Sequence, residues 1–521
     1  MGERVVTRVV VVGGGTAGWL VACSLAARAR SVSAEPVEVT LVESPDVPTV
    51  GVGEGTWPTM RRTLERIGLR EEDFLLACDA SFKQGSRFDG WRTGAADDRY
   101  YHPFVAPVSA EPRDLVAAWQ TVGEPRFAPS VGAQPAVCAA DLAPRQRRMP
   151  DYAGALNYAY HLDAGRFAAL LARHGTSALG VRHIRDHVTG VDQDEDGDVA
   201  AVETRTCGTV AGDLFVDCTG HAALLIGETF DVPLVDCSDV LFNDRALVAQ
   251  VPVEPSSPIA SQTTATAHAA GWIWDIGLPT RRGIGCVYAS NFMDDAAAEA
   301  TLTAYLGRVA PQGAPIPSFR RLTFRSTHRE RFWVRNCVAI GLSAGFLEPL
   351  EASAIVLVEL SIDALLADWP ASRASMDARA RRFDELFRYR WGRIVDFLKL
   401  HYVLSERTEP YWRAHRDPAS IPPRLRELLG VWRDQPPSVL DLPQADEIFP
   451  PASYQYVLYG MGAAPPPPPG DGTAAVQAAA ALRQASERAR ALVAGLPTNR
   501  AYLDALARDR AAVPTLDTAR P

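Results

Sequence analysis

The chain has two lysines among its 53 basic residues, Lys83 and Lys399, and the other 51 are arginines. A GC-rich genome would produce this bias without any functional reason. An amine nevertheless has chemistry that a guanidinium lacks, because it can lose its proton near neutral pH and act as a nucleophile. Each lysine is therefore a candidate for a role that arginine cannot fill.

A glycine-rich turn near the N-terminus has the spacing of a dinucleotide-binding turn. The β-branched run Val9–Val12 predicts a buried parallel strand, and Trp19–Arg30 has helical periodicity. A second predicted strand, Val37–Val42, ends at an acidic residue placed to bind a ribose hydroxyl pair. The glycines let a pyrophosphate approach the backbone at the helix N-terminus, and the alternative is a chance glycine turn in another α/β fold. The predicted nucleotide contacts in this unit are Gly13, Gly15, Thr16, Ala17, Gly18 and Glu43.

Three later segments have glycine turns that suit the same ligand. The loop Pro45–Pro58 is rich in Gly and Pro. A predicted strand runs into Asp-Cys-Thr-Gly at residues 217–220, a turn suited to a second face of the dinucleotide. Another predicted strand starts at Cys337 and breaks into glycines. These segments add Gly53, Glu54, Asp217 and Gly341 to the predicted contacts.

The remaining pattern places helices around this unit. Helices are predicted over Met60–Ile67 and Glu71–Cys78, and antiparallel strands over Ile184–Cys218. The sequence is mostly helical from Glu351 to about Val403, and an Ala-rich helix is predicted at 473–494.

Composition excludes several classes of protein. The 521 residues are 47% hydrophobic and 22% charged, which is typical of a globular protein. A net charge of −9 argues against nucleic-acid binding through a basic face. No apolar run is long enough for a membrane span, and no signal peptide is visible, so we expect a cytoplasmic protein. The eight cysteines form no cluster at zinc spacing, so we expect buried reduced thiols and no metal site.

Taken together, five motifs resemble the flavin-dependent tryptophan halogenase family. The resemblance extends from residue 5 to about residue 462 with family-like spacing. Its most specific element is the Trp-x-Trp-x-Ile motif in a chain that also has the glycine turn. The motifs are Gly13–Gly18 followed by Trp19, Gly51–Thr56, Ser81–Gly85, Gly271–Ile276 and Gly345–Glu351.

The resemblance implies a two-component enzyme with an α/β fold. A Rossmann-type FAD-binding domain, similar to that of flavin monooxygenases, would comprise residues 1–96 and 155–370. A mostly helical substrate-binding region would comprise residues 97–154 and 371–521. A separate NAD(P)H-dependent reductase would supply FADH2, and O2 with chloride or bromide would give hypohalous acid that travels through an internal passage to the substrate. The sequence is compatible with a separate reductase, because it has no second dinucleotide fingerprint for a nicotinamide. We expect a monomer or a homodimer.

The resemblance also assigns roles to single residues. Lys83 aligns with the active-site lysine and Glu351 with the active-site glutamate; the alternatives are a surface lysine and an ion-paired carboxylate. Lys399 matches no catalytic position, and we predict that it lies at the exposed end of a helix face. Glu348 fits a scaffold turn better than the catalytic position.

The resemblance also implies which residues would bind the halide, line the passage and contact the substrate. Backbone N–H groups at Ser353 and Ala354 would bind halide, although relatives have Ser, Thr and Gly where this chain has residues 352–354. Trp272 and Trp274 would line the passage, or would simply be core residues. The predicted substrate contacts are His102, Phe104 and Tyr454.

Two other functions stay open at this point. A flavin-dependent aromatic hydroxylase would not need the lysine, the glutamate and the tryptophan pair together. A non-catalytic flavoprotein is favoured only by the departures at residues 352 and 354. The acidic and tyrosine groups that hold free tryptophan in relatives are not evident, so an indole, free or within a larger molecule, is at least as good a candidate substrate.

Overall fold

The computed structural model describes residues 5–31, 37–47, 53–108, 111–123, 126–311, 317–466 and 473–512. Within these residues the strands are β1 Arg8–Val12, β2 Glu38–Glu43, β3 Glu54–Gly55, β4 Ser81–Lys83, β5 Gly85–Asp89, β6 Arg99–Pro103, β7 Ala159–Leu162, β8 Arg182–Arg185, β9 Val188–Gln193, β10 Val199–Thr204, β11 Gly208–Ala211, β12 Leu214–Asp217, β13 Leu234–Asp236, β14 Arg245–Pro252, β15 Thr263–His268, β16 Gly271–Gly277, β17 Arg281–Tyr288, β18 Arg320–Thr323, β19 Thr327–Arg329, β20 Trp333–Val334, β21 Cys337–Ala339 and β22 Gly345–Phe346.

The α-helices surround these strands and dominate the C-terminal third of the chain. They are α1 Thr16–Ser31, α2 Thr59–Arg66, α3 Glu71–Ala77, α4 Pro112–Val122, α5 Phe127–Val131, α6 Gln134–Ala139, α7 Ala164–Ser177, α8 Asp295–Val309, α9 Ser353–Ala367, α10 Arg373–Val403, α11 Pro410–His415, α12 Pro423–Val431, α13 Pro451–Gly460, α14 Thr473–Gly495 and α15 Asn499–Ala512.

A six-stranded sheet carries the nucleotide turn. Its strand order is β20-β21-β12-β1-β2-β8, and the five strands from β21 to β8 run parallel. Strand β1 is buried over Val9–Val12, as expected of a central parallel strand covered on both faces. Helix α1 packs on this sheet together with α7 and α9. The carboxyl ends of β1, β2 and β12 therefore meet at one edge, which is where such sheets bind ligands.

A seven-stranded sheet forms the other wall of the molecule. Its order is β18-β14-β17-β16-β15-β5-β6, antiparallel throughout except for the parallel pair β15 and β5. Strands β3, β7 and β4 form a small three-stranded sheet, and the chain passes from β4 to β5 through Gln84 alone. This connection places the end of β4 beside the seven-stranded sheet.

The long helix α10 and helix α13 close the molecule over the second sheet. Helix α13 packs on β6, and α10 packs on α13. The 3-10 turn Leu350–Ala352 leads directly into α9. The residues predicted to do chemistry thus come from β4, β6, β16 and the start of α9.

The predicted elements near the N-terminus and in the C-terminal helical region have their counterparts in the structure. Strands β8 and β12 are exceptions to the predicted antiparallel series, because β8 pairs parallel with β2, and β12 pairs parallel with β1 and β21. The hairpin of β5 and β6 crosses the boundary predicted at residue 97, and the division into two regions stays a prediction. Residues 48–52 of the loop Pro45–Pro58 lie outside the described residues.

Two further properties concern the described part of the chain as a whole. None of its helices has the length and apolar character needed to cross a membrane. No group of three or more His, Cys, Asp or Glu side chains in it could hold a metal ion. Its eight cysteines are free thiols, and the expectation that all are buried is wrong for Cys207, which is exposed, and for Cys218, which is half-buried.

Candidate active site

A cavity of about 610 Å³ begins at the glycine turn between β1 and α1. Residues Gly13–Ala17 line it. A Cβ on Gly13 would lie 2.1 Å from the carbonyl oxygen of Cys218, whereas a Cβ on Gly15 would meet nothing within 4 Å. Open space over Gly15, next to the start of a helix, is what a pyrophosphate needs to reach backbone N–H groups.

The acidic residue at the end of β2 also faces this cavity. Glu43 lines it, and its Oε2 lies 2.8 Å from Nε2 of His183. A carboxylate with one oxygen held in this way keeps its other oxygen for a ribose hydroxyl. Cys218, Thr219, Gly220 and Gly341 line the same region, whose volume falls in the range of cofactor sites.

Lys83 lies at the other end of the cavity. It ends β4, it lines the cavity and its exposed fraction is 1%. A Cβ on Gly55 would lie 3.0 Å from the Lys83 Nζ and 3.4 Å from the Cβ of Ala352, so a glycine is what lets the amine reach this place. The Nζ lies 5.4 Å from the centroid of the Phe104 ring. Among the described residues, none accepts a hydrogen bond from it.

Burial changes the acidity of this amine. Desolvation lowers the pKa of Lys83 to about 8, although the charge of Glu351 acts in the opposite direction. At pH 7 a pKa of about 8 leaves about one amine in ten unprotonated, compared with about one in three thousand at the ordinary value. Lys83 is therefore an amine that is available for chemistry at neutral pH.

Glu351 occupies the turn before α9, across from this amine. Glu351 and Ala352 have φ angles of 65° and 55°, in the left-handed region that non-glycine residues rarely adopt. Such strain persists only where the surroundings fix it and is common at functional sites. The indole Nε1 of Trp57 donates to the Glu351 carbonyl oxygen at 2.8 Å and helps to fix the turn.

Two histidines hold the Glu351 carboxylate. His102 Nδ1 lies 2.8 Å from Oε1, and His401 Nε2 approaches the same oxygen to 3.3 Å. Ser453 Oγ is 2.9 Å from the other ring nitrogen of His102. Burial would raise the pKa of Glu351, but the charge and hydrogen bond of His102, aided by His401, outweigh it and hold the pKa well below its usual range. The carboxylate is thus ionised at neutral pH.

The N-terminus of α9 follows directly and also lines the cavity. The lining includes Ser353 and Ala354, the two predicted halide positions. The first N–H groups of a helix have no partner within it, and the helix dipole favours an anion there. The sequence change at residue 352 leaves these backbone groups intact, so an anion site is compatible with this geometry.

Trp272 and Trp274 project from the central strand β16 and both line the cavity. Their ring centroids are 6.2 Å apart. Gly285 on β17 faces Trp274, and a Cβ there would lie 2.1 Å from the indole ring, so the missing side chain makes room for it. The indole Nε1 of Trp272 donates to Glu348 Oε2 at 3.2 Å. A pair of indoles therefore forms part of the cavity wall.

Comparison with known proteins decides between the candidate families. The sequence matches the tryptophan halogenase family over residues 8–476. The chain belongs to the tryptophan halogenase family. It is 35% identical to tryptophan 6-halogenase SttH of Streptomyces toxytricini, over 97% of this chain and 99% of that protein. It is 33% identical to tryptophan 7-halogenase RebH of Lentzea aerocolonigenes, over 82% of each.

Solved structures agree with the sequence comparison. A tryptophan halogenase from Shewanella frigidimarina shares 44% sequence identity with a TM-score of 0.93, covering 97% of this chain and 99% of that one. BrvH, a flavin-dependent halogenase from Brevundimonas, shares 33% identity with a TM-score of 0.84. These structures confirm the predicted α/β fold. Enzymes of the tryptophan halogenase family use FADH2 and a halide, so the predictions of FAD and a halide ion are also confirmed. The alternative function, an aromatic hydroxylase, is not favoured.

Within this halogenase, the structure gives the Asp217 side chain a part in the turn, and its contact with FAD stays a prediction. Its Oδ1 accepts from the backbone and hydroxyl of Thr219, and its Oδ2 accepts from the backbones of Leu225 and Ile226. Asp217 is fully buried and shapes the turn, while the residues that follow it line the cavity. Gly18 is likewise a packing residue, because a Cβ there would lie 1.9 Å from the Gly13 carbonyl oxygen.

The position of Lys399 is a correction to the prediction. The sequence predicts an exposed lysine, but the side chain is fully buried. Its Nζ lies 2.9 Å from His415 Nδ1, and it donates to Ser420 Oγ at 2.9 Å and to the Val240 carbonyl oxygen at 3.2 Å. Burial lowers its pKa to about 7. The partners lie up to 159 residues away, so no local pattern could reveal this site.

The three predicted substrate residues each have different contacts. His102 holds Glu351, and Phe104 lies over Lys83. Tyr454 packs against Phe397 and Trp432. Its neighbour Ser453 is the residue that contacts His102. Contact of these three with substrate stays a prediction. Sequence reasoning missed four residues near the carboxylate: Trp57, Phe397, His401 and Phe449.

Glu54 provides a test of the surroundings of the cavity in FAD-free protein. It lines the cavity, and desolvation raises its pKa to about 7 from the ordinary value of 4.5. The folded state thus binds the proton more tightly than the unfolded state, so this group lowers the free energy of unfolding as pH rises from about 4.5 to about 7. In FAD-free protein, we expect the thermal midpoint of Glu54→Gln to equal wild type at pH 4.5 and to exceed it at pH 8.

The matched control is Glu299→Gln, because Glu299 is an exposed carboxylate on α8. The thermal midpoint of this variant should equal that of wild type at every pH. Midpoints are measured by circular dichroism between pH 4.5 and pH 8. A difference between Glu54→Gln and wild type that does not change with pH would contradict the raised pKa.

Proposed function

We propose that this flavin-dependent halogenase acts on the ring of an indole that is not free tryptophan, with Lys83 and Glu351 as its catalytic residues. The observation that supports the proposal is their convergence at one end of a cavity whose other end has the nucleotide turn. The two ends have complementary chemistry, since one suits a dinucleotide and the other has an amine and a carboxylate.

The cavity residues fit FAD and a halide ion. Gly13–Ala17 would hold the pyrophosphate, Glu43 the ribose, and the N–H groups of Ser353 and Ala354 the halide. When bound, reduced FAD supplies with O2 the oxidising power that converts halide into hypohalous acid. The enzyme relies on a separate flavin reductase, which we propose to be NAD(P)H-dependent. We also propose that the chain acts as a monomer or a homodimer.

Lys83 holds the halogenating agent beside the substrate. An amine binds hypohalous acid by a hydrogen bond or as an N-halo amine, and the second form requires the unprotonated nitrogen. The lowered pKa of Lys83 provides that nitrogen at neutral pH. The absence of an acceptor for Nζ among the described residues leaves it free to contact a ligand in the cavity.

Glu351 acts on the ring after the halogen is attached. Attack of the ring on the halogen gives a cationic intermediate that must lose a proton. An ionised carboxylate stabilises this charge and accepts the proton. His102 and His401 keep Glu351 ionised and fix the position of Oε1.

The surroundings of Glu351 favour an indole without charged substituents. Phe397 stacks on Phe449 with centroids 3.7 Å apart, and Phe449 packs against Trp57 at 5.1 Å. The hydroxyl of Tyr456 donates to the Val105 carbonyl oxygen and is therefore engaged. These rings pack behind the carboxylate and do not line the cavity, and a phenyl ring gives no partner to an amino group or a carboxylate.

We therefore expect kcat/KM for indole to exceed that for free tryptophan by roughly tenfold or more, because the charged groups of tryptophan would lose water without gaining partners. The measurement uses a flavin reductase, NADH, FAD, bromide and a panel of indole, tryptophan and an indole-containing dipeptide, with mass spectrometry of the products. Equal or better kcat/KM for tryptophan would contradict this assignment, and it would leave halogenation itself intact.

A further inference from the structure

Glu348 is a buried carboxylate in the cavity wall to which the catalytic scheme gives no part. It lies three residues before Glu351, is fully buried and lines the cavity. Its Oε2 accepts three hydrogen bonds, from Asn243 Nδ2 at 2.5 Å, the Tyr402 hydroxyl at 2.8 Å and the Trp272 indole at 3.2 Å.

The groups behind Glu348 form a rigid support. Asn243 Nδ2 also lies 3.1 Å from the Tyr402 hydroxyl, and Asn243 Oδ1 accepts from the Tyr411 hydroxyl at 3.0 Å. The Tyr402 ring stacks on His415 with centroids 4.2 Å apart, and His415 is the partner of Lys399. Every member of this network is buried, so the position of Glu348 is fixed from three elements of the fold.

The carboxylate is an unusual choice for this position. Burial raises the pKa of Glu348, against the effect of its three hydrogen bonds and of the Lys399 charge. The second oxygen, Oε1, is buried and has no hydrogen-bond partner among the described residues. An amide would accept the same hydrogen bonds with a smaller desolvation penalty, but a carboxylate makes the stronger bond to an indole N–H.

Trp272 is the one donor of the three that itself lines the cavity. Its ring is otherwise held by aromatic neighbours, with Trp91 and Trp274 each at 6.2 Å between centroids. Contacts of this kind allow a flat ring to tilt, whereas a hydrogen bond to a fixed oxygen sets its orientation. The wall between the two ends of the cavity therefore depends on the bond between Trp272 and Glu348.

We propose that Glu348 is a positioning residue that fixes the Trp272 indole in the cavity wall and thereby keeps hypohalous acid on its route to Lys83. The inference rests on the proposed function. When the indole is loose, hypohalous acid escapes to solvent or is consumed on the way, and fewer halogenated products form for each FADH2 oxidised.

The test measures both the bond and the coupling in Glu348→Gln. With ¹⁵N-labelled tryptophan, the Trp272 indole N–H signal is assigned by its loss in Trp272→Phe, and we expect it to move in FAD-free Glu348→Gln. We also expect the ratio of halogenated product to FADH2 oxidised to fall about threefold or more, as hypohalous acid captured by an added β-diketone trap rises. Trp272→Phe removes the same bond and should lower the ratio by itself, with no further loss in the double variant.

Glu359→Gln is the matched control, because Glu359 is equally buried but lies on α9 outside the cavity lining. It should leave the Trp272 signal and the ratio at wild-type values. An unmoved Trp272 signal, or an unchanged ratio in both Glu348→Gln and Trp272→Phe, overturns the inference. A wild-type enzyme that halogenates no substrate and releases no hypohalous acid refutes the proposed function as well, so the two failures are distinct.

Discussion

Lys83→Arg yields no halogenated product while FADH2 is still oxidised at close to the wild-type rate. Arginine keeps the positive charge and much of the length of the side chain. Its guanidinium, with a pKa above about 12, has no unprotonated nitrogen at neutral pH and cannot be halogenated in the same way. The glycine turn between β1 and α1 belongs to a different sheet from β4, so flavin chemistry should continue.

Lys83→Met is the matched variant without charge, and it should be inactive as well. A rescue then separates the amine from the shape of the side chain. Lys83→Cys treated with 2-bromoethylamine gains a thioether side chain that ends in an amine, and it should recover halogenation. Cys207, the exposed thiol, is first replaced by serine, and Cys218, which lines the cavity, is replaced by alanine, so that neither thiol is alkylated. Halogenation that persists in Lys83→Arg would contradict the role of the amine.

Glu351→Gln lowers the rate of halogenation by about 100-fold or more, with FAD affinity within about twofold of wild type. The amide keeps the volume of the side chain and can still accept from His102. It has no negative charge with which to stabilise the cationic ring, and it cannot accept the ring proton. The measurements are single-turnover halogenation with excess enzyme and FAD titration by fluorescence.

Glu359→Gln serves again as the control, since it removes a buried carboxylate from α9, the helix that follows Glu351, and should keep the rate within about twofold of wild type. Wild-type turnover in Glu351→Gln would remove the assigned role. A loss of FAD affinity equal to the loss of rate would instead assign Glu351 to the cofactor site.

Local patterns predicted the strands and the helix around the glycine turn. The glycines, the strand before them and Glu43 are close in sequence, so periodicity and spacing suffice to place them on a βαβ unit. The family resemblance supplied the pair of Lys83 and Glu351, which are 268 positions apart in the printed sequence. Periodicity alone has no means of pairing two such residues, because their approach depends on how three sheets pack.

The residues that support Glu351, and the surroundings of Lys399, could not be predicted in this way. His102 and His401 reach Glu351 from β6 and α10, across 249 and 50 positions of the sequence. Lys399 was assigned to the surface because a lysine on a helix is usually solvated, yet its partners include His415 at the end of α11 and Ser420 in the 3-10 turn that follows. Asp217 is the opposite case. Its sequence context predicted a contact with the nucleotide, whereas the hydrogen bonds of its side chain shape the turn.

Product analysis with bromide tests the central claim most directly. Wild-type enzyme receives FADH2 from a reductase, O2, bromide and indole, and the products are weighed by mass spectrometry. We predict replacement of one hydrogen by bromine, recognised by its paired isotope peaks, and the loss of this product in Lys83→Arg. A product that has gained one oxygen and no bromine, from wild-type enzyme that oxidises FADH2 normally, would contradict halogenation.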